Sequence, residues 1–362
     1  MEGVSLEDYP LEKRFFIEFD MDHTLSVDAM QKPLLEDNLD SIIKAYDGRH
    51  FREVVRDART GAEVVREGTY HIASWEDWFQ ICNSFATRYN TVGYIDQFLH
   101  DNRTGVFPHY SKKDLQAFGT RVVLAPGIPE FFQTLREKWK GEIYLSFNLI
   151  STGMRDIIDG MLIAKEFDNI FACELRERNG AVDSVTEIVQ PFTKSRSLIW
   201  LSKGGDEKVD DKMPRAVRKA PYENMICVGD GMSDVPHFAR IKKEGGYSIC
   251  VYPENNAAAY GRALENKTIM ARTSLLAPRT YEIGSPIWAA INYRIEKILG
   301  RQCDFDKRII DICAGGDSKP KIIAGIVKKH LSKCAECKED LQFMSVPPGK
   351  SLVMEGGRLA VV

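Results

Sequence analysis

The chain has 362 residues, 44% of them hydrophobic and 28% charged, with a formal net charge of -3. That length exceeds one average domain and can bury a sizeable core without a staple, while the near-balanced charge offers no broad basic surface for nucleic acid. Eight cysteines are scattered along the chain, several inside apolar runs such as Met225-Ile-Cys-Val228, which argues against a disulfide framework and reads as reduced, intracellular usage.

The first residues, MEGVSLEDYPLEKR, are acidic and lack the apolar segment of a secretory signal. No stretch approaches the roughly 20 apolar residues of a membrane span, so a soluble, cytoplasmic protein without a membrane partner is expected. Residues 15 to 19 are apolar except Glu18, and Asp20 follows at once, the pattern of a buried strand running out into a polar loop. From 28 to 122 the character changes to amphipathic runs, with Trp75, Trp78, Phe79, Cys82 and Phe85 at helical spacing. A mostly helical inserted domain is expected there. Pro129 to Lys140 reads as a helix, Glu142 to Leu145 as a strand leading into Ser146-Phe-Asn148, and Thr152 to Lys165 as a helix. Lys194 opens a helix-like run to Leu201, and Ser202 to Pro221 is polar and breaker-rich, the signature of an exposed loop. Met225 to Val228 is a further strand and leads into Gly229-Asp-Gly-Met-Ser-Asp234. Beyond Lys267, Pro286 to Leu299 and Lys319 to Leu331 have helical character, before a glycine-containing tail from Pro347. Alternating strands and helices imply an α/β core with a Rossmann-like parallel sheet, whose polar residues gather at the carboxyl ends of the strands. Residues 1–27 and 123–300 are expected to form it, with 28–122 as the helical cap domain and 301–362 as a C-terminal helical extension and tail.

The chemistry concentrates where the strands end. Asp20 and Asp22, directly after a buried strand, make a dense negative site that calls for a cation, and carboxylate oxygens favour Mg2+. Phosphoryl transfer to a carboxylate needs an in-line nucleophile, a proton donor for the leaving oxygen, and donors around the equatorial oxygens. Asp20 can attack phosphorus to form an aspartyl-phosphate, and Asp22 can act as acid and then base. Ser146 can donate to a phosphoryl oxygen, and Lys194 can supply a compact positive charge. Asp230 is placed to hold Mg2+, and Asp234 to support the metal or Lys194.

These residues, in this order, resemble the four motifs of the haloacid dehalogenase superfamily: Asp20-Met-Asp22-His-Thr24-Leu25, Ser146 after an apolar strand, Lys194, and Gly229-Asp-Gly-Met-Ser-Asp234. The resemblance spans Arg14 to Lys267 and is similar to the phosphoserine phosphatase-like branch, which carries a helical cap between the first two motifs and a segment like Ala125-Pro-Gly-Ile-Pro129 before the second. It implies a Mg2+-dependent phosphatase of a small phosphorylated metabolite. Asp20, Asp22 and Asp230 would be the metal ligands, Asp22 binding through its main-chain carbonyl while its side chain moves protons. A phosphotransferase of the same superfamily, or a silent binding or regulatory protein on that fold, are the alternatives. Asp22 argues against dehalogenation, since a halide leaving group needs no acid.

Two positions depart from the pattern. His23 stands where the motif usually has Gly or Ser, and Ala29 stands where phosphoserine phosphatases carry a glutamate that reads the substrate amine, with Asp28 adjacent. The substrate is therefore expected to be a phosphomonoester other than phosphoserine. Separately, His330-Leu-Ser-Lys-Cys334-Ala-Glu-Cys337 has ligand spacing, and with Cys303 or Cys313 could form a structural Zn2+ site remote from Asp20. Oligomeric state is not encoded in any of these patterns.

Overall fold

The computed structural model describes residues 5–56, 63–82, 93–205, 212–254, 256–300, 352–355 and 358–361. It divides into two compact units, Met1–Ile287 and Trp288–Val362. The first opens with β1 (Arg14–Phe19), in which Phe15, Ile17 and Phe19 are fully or almost fully buried. The inserted segment follows, with α1 (Lys32–Asp37), α2 (Leu39–Tyr46), the strands β2 (His50–Arg56) and β3 (Glu63–Thr69), α3 (Trp78–Ile81), α4 (Gly93–Thr104) and α5 (Lys112–Gly119). The chain returns through α6 (Glu130–Lys138) to β4 (Tyr144–Met154), α7 (Arg155–Asp159), β5 (Asn169–Arg178) and β6 (Ala181–Glu187). Then come α8 (Lys194–Lys203), β7 (Met225–Gly229), α9 (Val235–Lys243), β8 (Tyr247–Tyr252), α10 (Ala257–Glu265), α11 (Lys267–Met270) and β9 (Leu275–Pro278). Helix α12 (Pro286–Ile298) spans the boundary between the units, and β10 (Leu352–Glu355) pairs antiparallel with β11 (Arg358–Val361) in the second.

Seven strands form one sheet in the order β6-β5-β4-β1-β7-β8-β9. All neighbours are parallel except the edge pair β5 and β6, so the α/β core expected from the sequence is present with an antiparallel edge added. Because β1 is central, its residues are covered on both faces, and this is why the run reads as almost continuously apolar. Phe19, Phe131, Phe132 and Phe147 pack edge-on or tilted, with ring centroids 5.0 to 6.2 Å apart, between the sheet and α6. The insertion enters and leaves as an antiparallel pair: Val27 N donates to Val123 O and Ala125 N to Leu25 O, each at 2.8 Å. Its helix α5 then packs on α7 at very short range. A Cβ at Gly119 would lie 2.1 Å from Ile157 O, and one at Gly160 would lie 1.8 Å from Gln116 O, so both positions need glycine.

Several local expectations are revised. The stretch Thr152 to Lys165 begins as strand, because β4 continues to Met154, and only α7 and a 3-10 turn at Ala164–Glu166 are helical. The insertion contains the antiparallel hairpin β2–β3 as well as helices. Trp75 to Ile81 forms a 3-10 turn and the single turn α3, with Trp78 and Cys82 buried; Phe85 lies outside the described residues. The polar run from Ser202 is not wholly exposed: its end folds back on α8 through Lys219 N to Ser202 O (2.9 Å) and Ser202 Oγ to Ala220 O (2.8 Å), and Ala220 is buried. The helix expected over Lys319 to Leu331 lies outside the described residues, and within the glycine-containing tail β10 pairs antiparallel with β11.

Candidate active site

Asp20 stands one residue beyond β1, its N–H donating to Val228 O at the end of β7 (2.9 Å). Lys194, in the first turn of α8, is buried, and its Nζ donates to Asp20 Oδ1 and to Asp234 Oδ1, each at 2.7 Å. Oxygens of Asp20, Asp230 and Asp234 all lie within 4.8 Å of one another. Gly229 makes this approach possible, since a Cβ there would sit 2.4 Å from Asp234 Oδ2. Three carboxylates thus share one ammonium, and the site is short of positive charge. Burial, then the charge of Asp234, pushes the Asp20 carboxyl well above its ordinary range, and the same causes raise Asp230 to about 7. Burial works against the Lys194 cation, but Asp20 and Asp234 outweigh it and keep its pKa above the ordinary lysine value.

The loop after β1 presents the second carboxylate. Asp22 Oδ1 accepts from Met30 N at 2.7 Å, and burial pushes its carboxyl up against that bond. Asp22's carboxylate does not join the close cluster, in which Asp234 stands instead. His23 is exposed and adopts φ 55°. This left-handed backbone explains why glycine suits the position and why histidine, which enters that region more readily than most residues, is tolerated. Its Nδ1 lies 3.3 Å from Val27 O. Asp28 is paired with Lys32 Nζ at 2.8 Å. Sequence reasoning gave no role to the segment after β9, yet Arg279 Nη1 donates to His23 O (2.9 Å) and Tyr281 Oη to Thr24 O (3.2 Å).

Ser146 is not at the end of its strand. It pairs with Phe16 in the register of β4 on β1, whereas Leu149 pairs with Phe19, so Ser146 lies four rows before the level of Asp20. Its Oγ is buried and accepts from Asn148 Nδ2 at 3.2 Å. The residues of β4 that reach past Asp20's level are Ser151, Thr152, Gly153 and Met154. Ser151 Oγ is buried and accepts from Gly153 N at 2.9 Å, and the main-chain oxygen of Thr152 accepts from Tyr94 Oη of the insertion at 2.6 Å. The signal for this was present: the apolar run resumes at Leu149-Ile150 and ends on Ser-Thr-Gly, the small polar residues expected near the carboxyl end of a strand in such a sheet.

No established family profile matches the chain. An uncharacterized protein of Borreliella burgdorferi is 27% identical over 304 residues, covering 77% of this chain and 95% of that protein. Among solved structures, a HAD family hydrolase of Salmonella enterica serovar Typhi is 17% identical (71% of this chain, 67% of that one, TM-score 0.41). A phosphoserine phosphatase bearing a phospho-aspartyl intermediate analogue is 13% identical (78% and 99%, TM-score 0.43), and cytosolic 5'-nucleotidase IIIB bound to cytidine is also 13% identical (80% and 88%, TM-score 0.42). What decides the fold is the central strand order β5-β4-β1-β7-β8, with Asp20, Lys194 and the Gly229–Asp234 turn converging at its carboxyl end. The chain has a Rossmann-like α/β fold built on a mostly parallel sheet.

Beneath the carboxyl end of this sheet lies a second polar group. Glu18 and Cys227 are register partners on β1 and β7, and His237 of α9 places Nε2 3.0 Å from Glu18 Oε2. Ligand atoms of all three fall within 4.8 Å, and Glu18 Oε1 and His237 Nδ1 are buried without a hydrogen-bond partner. A small cavity bordered by Glu18, Asp20, Lys194, Cys227, Asp234 and His237 joins this group to the site above. Burial raises both the Glu18 carboxyl and the Cys227 thiol. The zinc candidates Cys303, Cys313, His330, Cys334 and Cys337 lie outside the described residues. Among the described residues, Cys82, Cys173, Cys227 and Cys250 are free and buried, and no helix is long and apolar enough to cross a membrane.

Proposed function

We propose that the chain is a Mg2+-dependent phosphohydrolase that cleaves a small phosphomonoester through an aspartyl-phosphate on Asp20. The observation that carries this reading is the Lys194 bridge between Asp20 and Asp234, with Asp230 alongside, at the carboxyl end of the central strands. Lys194 fixes one oxygen of Asp20 and leaves Oδ2 without a hydrogen bond from the described residues, free to attack phosphorus in line. As the new O–P bond forms and the ester P–O bond breaks, Asp22 gives its proton to the departing alkoxide. A carboxyl raised by burial suits that role. Asp22 then takes a proton from water as its oxygen attacks the phosphoryl group, and breaking the Asp20 O–P bond frees phosphate. Ser151, with Oγ turned to Gly153 N, retains its own hydroxyl proton for a phosphoryl oxygen, and Lys194 offsets the charge gathering there.

The donor set suits Mg2+. An octahedral site at 2.0–2.1 Å puts adjacent oxygens roughly 3 Å apart and opposite ones roughly 4.2 Å apart, within the 4.8 Å span of the cluster. Asp20 and Asp230 would hold the ion with the main-chain carbonyl of Asp22, Asp234 being committed to Lys194. Bound there, Mg2+ supplies positive charge between the nucleophile and the phosphoryl oxygens. The inserted segment 28–122 is proposed to act as a cap that selects the substrate, and Ala29, with Asp28 tied to Lys32, speaks against phosphoserine. The test is Mg2+-dependent phosphate release from an aryl phosphate: Asp20→Asn, which keeps the shape but not the nucleophile, should abolish it. An unchanged rate in that variant refutes the mechanism.

A further inference from the structure

The loop that carries Asp22 contains a backbone conformation its sequence does not favour. His23 has φ 55°, and for an L-residue other than glycine the left-handed region is depopulated by roughly 5–30-fold. Such a conformation persists only when the surroundings over-determine it. Among the described residues, one charged group donates to the His23 peptide: Arg279 Nη1, 2.9 Å from His23 O. Arg279 is itself anchored. It follows β9 directly, its N–H donates to Tyr252 O at 2.7 Å, and the residue is 6% exposed. Its side chain has no second hydrogen-bond partner among the described residues. The guanidinium thus makes its one hydrogen bond among the described residues to a main-chain oxygen, where a charged donor is roughly twice as strong as a neutral one, with the charges of Asp230 and Asp28 also acting on it. Two residues on, Tyr281 Oη meets Thr24 O at 3.2 Å and Tyr281 N meets Pro126 O at 2.8 Å, so one short segment grips two successive carbonyls of the loop. The position of a carbonyl oxygen fixes the ψ of its own residue. Holding His23 O therefore fixes the far side of the turn, the ψ at which the chain leaves His23 for Thr24, while Met30 N ties the Asp22 carboxylate on the near side, so the φ 55° turn is held between two anchors.

We propose that Arg279 is a positioning residue for the reaction: by holding the His23 carbonyl it enforces the left-handed turn that aims Asp22 at the leaving-group oxygen. The inference rests on the proposed function of Asp20 and Asp22. It accounts for the departure of this chain from the usual glycine, since a residue that resists the turn needs a clamp that glycine does not.

The test is a cycle of four proteins, wild type, Arg279→Met, His23→Gly and the double variant, assayed with p-nitrophenyl phosphate at saturating Mg2+, with Asp20→Asn alongside. Arg279→Met should lower kcat by roughly 5–30-fold, the size of the conformational cost, with KM within about threefold, as expected when alignment and not binding is lost. In the His23→Gly background the same substitution should cost less than about threefold, because glycine adopts the turn unaided. Equal losses in both backgrounds overturn the proposal, and so does a loss carried by KM, which would put Arg279 on the substrate. Should Arg279→Met fail to fold, Arg279→Gln gives the same cycle with a neutral donor, and its loss must again shrink in the glycine background. Turnover by Asp20→Asn would instead defeat the proposed function itself; an inactive Asp20→Asn with an uncoupled cycle defeats only the role of Arg279.

Discussion

The register of β4 makes a sharp distinction between two serines in the same strand. Ser146 pairs with Phe16, four rows before Asp20, which at a rise of about 3.3 Å per residue is about 13 Å down the strand. Ser151 lies one row past the level of Asp20, near the end of β4, where its Oγ accepts from Gly153 N. If Ser151 donates to a phosphoryl oxygen, Ser151→Ala removes one preorganised donor from a charge that grows in the transition state, a loss of roughly 10²-fold in kcat, or about 2.7 kcal/mol. Ser146→Ala removes a buried hydrogen bond to Asn148, 3.2 Å long, and should cost about 1 kcal/mol of stability with kcat unaltered. Steady-state phosphate release and chemical denaturation on the two variants measure both quantities. A hundredfold loss in Ser146→Ala, or none in Ser151→Ala, would refute the reasoning from register.

Two further outcomes follow from the buried charges. Asp230, pushed up to about 7 from an ordinary 3.8, holds in the metal-free protein a proton that Mg2+ must displace. Below that value Mg2+ affinity should rise close to tenfold per pH unit, and it should level off above it. By the same sign, a carboxyl raised on folding makes metal-free protein less stable as pH climbs from about 4 to about 7. Calorimetric titration at several pH values checks the first, and an affinity independent of pH from 6 to 8 would contradict it. For the pair below the site, Glu18→Val or His237→Phe alone leaves one buried polar group without its partner and should cost about 2–3 kcal/mol. The double variant should cost clearly less than the sum of the singles, and strict additivity in denaturation would show that the two side chains do not depend on each other.

The parts of the site that were legible in the sequence are those announced locally. Asp20 follows an apolar run, and Lys194 opens a helix. Asp230 and Asp234 sit in a glycine-bordered turn, and each signal is contained within about ten residues. Ser146 misled because a polar residue inside an apolar stretch reads as a strand end. Here Ser146 and Asn148 are buried in mid-strand and satisfy each other, so the polarity marks an internal hydrogen bond. The hairpin β2–β3 escaped notice because β3 is exposed along almost all of its length and so lacks the alternation that burial imposes on a strand. Contacts such as His237 with Glu18, 219 residues apart, or Arg279 with His23, 256 residues apart, exist only once the sheet has brought its strands together, and no window along the chain contains them. Nor does any local pattern say that Asp101 would take hydrogen bonds from Tyr46, Trp78 and Gln97 inside the insertion.

The bond from Tyr94 Oη to Thr152 O joins the first turn of α4 to the backbone between Ser151 and Gly153. If the insertion swings to admit a substrate, as the proposed function would have it, this bond would break at a net cost of about 1 kcal/mol, and re-forming it would tie the Ser151–Gly153 backbone to the insertion again. On the proposed function, admission and alignment would then be one event: the door and the workbench would share a hinge pin, and a substrate that failed to let the insertion settle would also leave the phosphoryl group without its donors.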